Sequence, residues 1–191
     1  MGTASARAAR RLRYTREVTR SMIRAGRENV ARGVSGASAD DLVVAILRGH
    51  CRVVDELLNE LGRDPDALAA GVESVSDTAG LPLETRMHSF NAVLYRAALV
   101  AAQCSAEYVG PEHVMLAAAA GDSAASVLLR EYLPTSPDLE DAVRRIELSY
   151  PPSDPPARLR PYNGWQLAMG SLMRWLVGQN ERRIRRQSRR S

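Results

Sequence analysis

Apolar residues recur along most of this chain three or four positions apart, which is the spacing of amphipathic helices. The pattern predicts four helices in the first half of the chain and four more in the second half. The predicted helices fall approximately at residues 15–32, 38–48, 53–61, 64–73, 87–103, 111–120, 127–133 and 137–148. No stretch alternates apolar and polar residues, so we predict an all-α fold without strands.

Two of the predicted helices begin in the same way. Ser38 and Asp41 form a shortened capping box before an apolar run. Pro111 suits the first position of the second helix, because proline has no N–H group to leave unbonded there. Asp40 and Glu112 hold equivalent places 72 residues apart (112 − 40), where each carboxylate favours the positive end of the helix dipole. The chain therefore reads as two tandem repeats of four helices.

The net charge of +4 conceals a division of charge along the chain. Residues 1–13 carry four arginines and no acid, residues 14–153 carry 13 arginines and 20 acids, and residues 154–191 carry nine arginines and two acids. An acidic body therefore lies between two basic tails. The chain contains no lysine, which excludes a P-loop lysine, a Schiff base and a lysine general base.

Composition and pattern together divide the chain into a body and two tails. The proline-rich stretch after the body predicts an extended linker, and the segment that follows is amphipathic and then arginine-rich. The predicted units are a basic arm at 1–13, a body at 14–148 with repeats at about 14–75 and 85–148, a linker at 149–161, and an amphipathic helix with its tail at 162–191.

The predicted C-terminal helix has one strongly apolar face, formed by Trp165, Met169, Leu172, Trp175 and Leu176. This face has three interpretations: it packs on the repeats as a ninth helix, it binds a membrane surface, or it fits the groove of a partner protein. The arginines beyond it can also bind nucleic acid without specificity.

Patterns of catalytic and metal-binding residues are absent from the sequence. His50, Cys51 and Cys104 match no standard ligand spacing, and no nucleophile motif or nucleotide-binding loop is present. We therefore predict no enzyme, no metal and no cofactor. The N-terminus shows no apolar run of a signal peptide, and no 18-residue apolar stretch occurs, so we expect a cytoplasmic protein with reduced cysteines.

The repeated helix starts resemble the double Clp N-terminal domain, which precedes the motor of the ClpA and ClpC unfoldases. Repeats of that family open with an aromatic–Thr pair, here Tyr14–Thr15, and their third helix carries a motif that resembles Leu57–Gly62. The family's central Gly-Thr/Pro-Glu-His motif corresponds to Gly110–His113, and the similarity covers about residues 14–148. The resemblance implies two four-helix repeats in a pseudo-two-fold arrangement.

The resemblance also implies a function. It indicates a non-catalytic protein-binding module of the Clp proteolysis and chaperone system, which recognises substrates or adaptors. Because no AAA+ module follows, such a chain would act as an adaptor, a decoy or a sensor. The alternative, suggested by the basic C-terminal segment, is a regulatory protein attached to a membrane surface or to nucleic acid.

In ClpC-type domains the glutamates equivalent to Asp40 and Glu112 are implicated in binding phosphoarginine on tagged proteins. A carboxylate can pair with the guanidinium while N–H groups at the helix N-terminus take the phosphate. The resemblance thus implies a ligand site at Ala39, Asp40, Pro111, Glu112 and His113. The alternative is that both acids only stabilise helix N-termini and that His113 bonds the preceding loop.

This chain departs from the family pattern at the proposed ligand site and at the start of the second repeat. Asp40 is one methylene shorter than the family glutamate, and Ala39 lacks the family hydroxyl. The second repeat opens with Arg86–Ser89 in place of an aromatic-Thr-Pro-Arg sequence.

Overall fold

The computed structural model describes residues 13–76, 80–104, 106, 108–133 and 141, and 73% of the interpretable residues are helical. The prediction of a mainly helical chain is therefore confirmed. The described elements, in chain order, are β1 (Arg13–Tyr14), α1 (Arg16–Ala31), α2 (Ala39–Leu47), α3 (Arg52–Glu60), α4 (Pro65–Val75), α5 (Leu83–Gln103), β2 (Tyr108–Val109), α6 (Pro111–Ala119) and α7 (Ala124–Tyr132).

The prediction that the chain has no strands is wrong at two short places. Arg13–Tyr14 pairs in parallel with Tyr108–Val109, and the Thr15 N–H donates to the Val109 carbonyl at 3.0 Å. Alternation of apolar and polar residues is recognisable only over about four to eight residues, so a two-residue strand leaves no such signal. The pairing ties the chain before α1 to the chain before α6.

The predicted starts of α1 and α2 are confirmed by their caps, whereas α7 begins at Ala124, three residues before its predicted start at residue 127. The Thr15 hydroxyl accepts a hydrogen bond from the Val18 N–H at 3.4 Å. Ser38 and Asp41 form the complete capping box, with bonds of 3.2 Å and 2.7 Å in the two directions. The 72-residue period also holds in the structure, because α6 and α7 each have nine residues and begin 72 positions after α2 and α3 (111 − 39 and 124 − 52).

Helix α5 begins four residues earlier than the predicted start at residue 87, and α4 continues to Val75, two residues beyond its predicted end at residue 73. Pro82 precedes α5 with a fixed φ that suits a helix entrance, and Glu84 places a negative charge in the first turn. The early start puts Arg86 inside the helix, where its side chain is only 1% exposed.

Helices α2 and α6 form the centre of the core. Every residue from Asp41 to Leu47 and from Pro111 to Ala118 is buried. A helix that is apolar on all sides has no face to present to water, so other helices must surround it. Helix α2 packs against α1, α4, α5 and α6, and α6 packs against α2, α3, α5 and α7. No helix within the described ranges combines the length and the apolarity needed to cross a bilayer.

Several predicted segments lie outside the described residues, and the statements about them stay predictions. They are the N-terminal arm except Arg13, the eighth helix except Asp141, the linker at 149–161, and the C-terminal segment with Trp165, Met169, Leu172, Trp175 and Leu176.

A buried ion pair joins the two halves of the chain. Oδ2 of Asp41, at the start of α2, lies 3.0 Å from Nη2 of Arg86 on α5. Oδ1 of the same carboxylate lies 3.0 Å from Nη2 of Arg32, whose side chain is 57% exposed. Arg86 also donates to the Gly36 carbonyl at 3.0 Å. One carboxylate therefore has one buried and one exposed arginine partner.

The surroundings of Asp41 keep it ionised. Burial, the largest single influence, acts to raise the pKa of Asp41. Hydrogen bonds from Ser38 and Asn29 and the charge of Arg86 outweigh burial, so the pKa of Asp41 is lowered. A lowered pKa means that the carboxylate stabilises the fold at neutral pH, and that this contribution is lost as the pH falls through the lowered value.

We expect Arg86→Met to destabilise the protein far more than Arg32→Met, although each removes one partner of Asp41. Removing the buried partner leaves a buried carboxylate poorly compensated, at a cost of about 3–5 kcal/mol. Removing the exposed partner costs less than about 1 kcal/mol. Urea unfolding at pH 7 measures both values, and equal losses in the two variants would contradict this role of Arg86.

Candidate functional site

A pocket of about 400 Å³ opens beside the first turn of α2, between α1, α2 and α4. Four acids and two arginines lie in its wall, which gives a net charge of −2 when all are ionised. The lining residues are Glu28, Ala31, Arg32, Asp40, Asp41, Val44, Arg48, Glu73 and Ser76. The predicted site residue Asp40 therefore faces a cavity large enough for a side chain of another molecule.

Two of the four acids have their charge balanced by arginine. Asp41 pairs with Arg32 and Arg86, as described above. Arg48 binds Glu73 with two hydrogen bonds, Nε to Oε1 at 3.0 Å and Nη2 to Oε2 at 2.7 Å. These bonds, with the charge of Arg48, lower the pKa of Glu73 against the opposing effect of burial.

The other two acids, Asp40 and Glu28, have no basic side chain within ion-pair distance among the described residues. Asp40 is held instead by two hydroxyl groups: Ser76 donates to Oδ2 at 3.0 Å and Ser123 donates to Oδ1 at 3.2 Å. Burial raises the pKa of Asp40, the hydroxyl donors act to lower it, and the neighbouring charge of Asp41 raises it further. The carboxylate is thus oriented without being neutralised.

Two of the first-turn N–H groups of α2 have serine acceptors within the protein. The Ala39 N–H donates to the Ser89 hydroxyl at 3.2 Å, and the Asp41 N–H donates to the Ser38 hydroxyl at 3.2 Å. Ser89 in turn donates to the Arg86 carbonyl at 2.8 Å, which fixes its position on α5. A phosphate bound at this helix start would have to displace serine from these donors.

The equivalent acid at the start of α6 lies in a different environment. Glu112 is 1% exposed and its Oε1 lies 2.8 Å from Nδ1 of His113. The Gly110 N–H donates to the same Nδ1 at 3.0 Å, which confirms the predicted bond from His113 to the preceding loop. Pro111 is also buried. The structure therefore places Asp40 in an open pocket and Glu112 inside the protein, and Pro111, Glu112 and His113 are not among the residues that line the pocket.

Ser123, which precedes the third helix of the second half, contacts the acid at the start of α2 in the first half. Ser123 caps α7 and bonds Asp40, while Cys51, 72 positions earlier (123 − 51), precedes α3. Burial raises the pKa of Cys51 to about 12. The negative charge of Glu112, together with those of other carboxylates, adds to this effect. Sequence inspection missed Ser76 and Ser123, although the 72-residue period could have marked Ser123 as the counterpart of Cys51.

The other residues considered for metal binding do not assemble into a ligand set. Cys51 is buried and Cys104 is partly exposed, and neither forms a disulfide. His50 lies 3.5 Å from the Asp55 carboxylate instead. Within the part of the chain that the structure describes, no three His, Cys, Asp or Glu side chains could hold one metal ion.

We expect Asp40→Asn to increase the free energy of unfolding at pH 7. Because the pKa of Asp40 is raised in the folded state, ionisation opposes folding, and the wild type gains stability as the pH falls through that pKa. The difference in free energy of unfolding between the variant and wild type should therefore decrease from pH 7 to pH 4, as measured by urea unfolding. Asp122→Asn, at an exposed turn, is the control and should stay within about 0.5 kcal/mol of wild type. A variant less stable than wild type at pH 7 would contradict this account.

We expect Gly110→Ala to destabilise the protein and Gly26→Ala to stabilise it. A Cβ at Gly110 would lie 2.5 Å from the carboxyl carbon of the buried Glu112, and such overpacking costs about 1–3 kcal/mol. A Cβ at Gly26, inside α1, would meet no other atom within 4 Å, so alanine there should gain up to about 1 kcal/mol. Thermal unfolding shows whether each variant is more or less stable than wild type. A Gly110→Ala protein as stable as wild type would show that the Glu112 carboxylate is not held over the helix start.

The two helix starts thus present one open acidic pocket, at Asp40, and one buried carboxylate, at Glu112. No family model, curated protein or solved structure matches this chain. What the pocket binds is therefore inferred from its own charge and shape.

Proposed function

We propose that this protein is a non-catalytic protein-binding module of the Clp N-terminal type, which holds a basic side chain of a partner protein in the Asp40 pocket. The shared period of α2 with α6 and of α3 with α7 supports two tandem repeats in a pseudo-two-fold arrangement. The hydrogen bond from Ser123 to Asp40, and the electrostatic influence of Glu112 on Cys51 72 positions before Ser123, support it further.

The observation that carries the proposal is an acidic pocket whose charge is only partly balanced. Asp40 and Glu28 face a cavity of about 400 Å³, which is within the size range of small-ligand sites. A guanidinium group is planar and offers several N–H donors, so it can bind two carboxylates at once. An arginine side chain on a substrate or adaptor of the Clp system is the ligand of best complementarity.

Phosphoarginine would bind less readily than arginine in this pocket. Its phosphate could reach Arg32 or Arg48, but both arginines already pair with Asp41 and Glu73. The Ala39 and Asp41 N–H groups also have serine acceptors. We therefore propose recognition of an unmodified basic residue, through which the module would act as an adaptor, a decoy or a sensor.

Calorimetric titration with N-acetylarginine amide tests the proposal. We expect wild type to bind, Asp40→Asn to lose at least tenfold in affinity, and Glu112→Gln to keep its affinity. Asp40 lines the pocket and Glu112 does not. Affinity should increase as the pH rises through the raised pKa of Asp40, since the ionised carboxylate is the form that binds a cation.

Two further ligands sharpen the experiment. The neutral analogue N-acetylcitrulline amide keeps the shape of arginine without its charge and should not bind. Phosphoarginine should bind more weakly than the unmodified amino-acid derivative. An Asp40→Asn protein that binds as well as wild type, or an equal loss in Glu112→Gln, would refute the assignment of the pocket.

A further inference from the structure

The outer face of α1 carries a row of arginines. Arg16, Arg20, Arg24 and Arg27 follow one another at spacings of four, four and three residues. At about 100° per residue they lie within about 80° of the helix circumference. The opposite face of α1 packs into the core through Val18, Ser21, Ala25 and Asn29. The row therefore lies on the side of α1 away from the core, where Arg20 and Arg27 are exposed.

Two arginines of the row are accessible and are not neutralised by neighbouring acids. Arg20 and Arg27 are exposed, and among the described residues no carboxylate lies within ion-pair distance of either. Arg24 uses one nitrogen to donate to the Arg48 carbonyl at 2.5 Å. Like charges four residues apart on a helix repel one another by a few tenths of a kcal/mol per pair. An external anion would relieve this repulsion.

The local charge of this surface is strongly positive although the body as a whole is acidic. Residues 13–27 contain five arginines and one acid. The Debye length is about 8 Å at physiological ionic strength, so acids on distant faces are largely screened at the row. A polyanion close to α1 therefore meets a basic surface.

We infer that this face of α1 binds the phosphate backbone of a nucleic-acid duplex without sequence preference. Eleven residues separate Arg16 from Arg27, so the row extends over about 16 Å at 1.5 Å per residue. An exposed helix can enter a major groove about 12 Å wide, where arginines along it reach phosphates. The regularly spaced arginines of the row thus match the regularly spaced phosphates of the duplex.

The composition of α1 favours a duplex over the other anionic surfaces. A helix that lies in a membrane interface inserts Trp, Phe or Leu, but the apolar face of α1 is already packed in the core. The larger apolar side chains beside the row are Ile23 and Val30, which are 41% and 74% exposed. Helix α1 contains no aromatic residue, so it offers no platform on which single-stranded bases could stack.

Fluorescence anisotropy with the full chain and a labelled mixed-sequence DNA duplex of 20 base pairs, at 50–200 mM KCl, tests the inference. Each phosphate contact contributes about 0.9 to the slope of log K against log salt. The double variant R20Q/R27Q should therefore reduce the slope by about 1.8 and the affinity on the order of 60-fold at 0.1 M salt. Both substitutions are at exposed positions, so circular dichroism should show an intact fold.

The matched control is R52Q/R63Q, which removes the same charge from exposed positions on and after α3. It should change the affinity less than twofold. Equal losses in the two double variants, or no duplex binding by wild type at 50 mM salt, would overturn the inference. Binding to vesicles of phosphatidylcholine and phosphatidylserine that R20Q/R27Q abolishes, without duplex binding, would overturn it in favour of a membrane surface.

Discussion

Two nine-residue helices that are apolar on every side beyond their first turn have to be surrounded by other helices, and the rest of the structure follows from that constraint. A buried helix start hides N–H groups whose loss of hydrogen bonds costs about 1–3 kcal/mol each. Helix α2 meets the requirement with Ser38 and with Ser89 from the other half. Helix α6 has Pro111 at its first position, and the N–H of its cap residue, Gly110, donates to Nδ1 of His113. Four of the nine buried polar or charged residues in the described part of the chain therefore lie where these helices begin: Ser38, Asp41, Glu112 and His113.

The same constraint ties the two halves together. The chain before α1 pairs with β2, which directly precedes α6. In the reciprocal place, Arg86 reaches the Gly36 carbonyl, which lies 72 positions before Tyr108 (108 − 36). Because α5 starts early, residue 86 lies within the helix, and the Arg86 side chain makes the link that the β1 backbone makes in the other half. The bond from Ser123 to Asp40 adds a further link and positions the pocket carboxylate.

Helix α1 separates two surfaces of opposite charge. On one side Glu28 and the start of α2 form the acidic pocket, and on the other side Arg20 and Arg27 face solvent. Because salt screens charges over about 8 Å, the negative potential of the pocket and the positive potential at Arg20 and Arg27 can persist on one small domain. A cationic side chain and a polyanion could therefore be bound at the same time, each on its own face. The buried Arg86 balances the charge of Asp41 in the wall of this pocket.

The sequence by itself determined where most helices begin, because capping and periodicity depend on residues only a few positions apart. Thr15, the Ser38–Asp41 box and Pro111 are examples, and the 72-residue period was visible as well. Only the tertiary structure decided that Asp40 lines a pocket while Glu112 is buried, that Arg86 pairs with Asp41, and that two-residue strands form. These outcomes join residues 45 to 95 positions apart (86 − 41 and 108 − 13), and their distances depend on how whole helices pack.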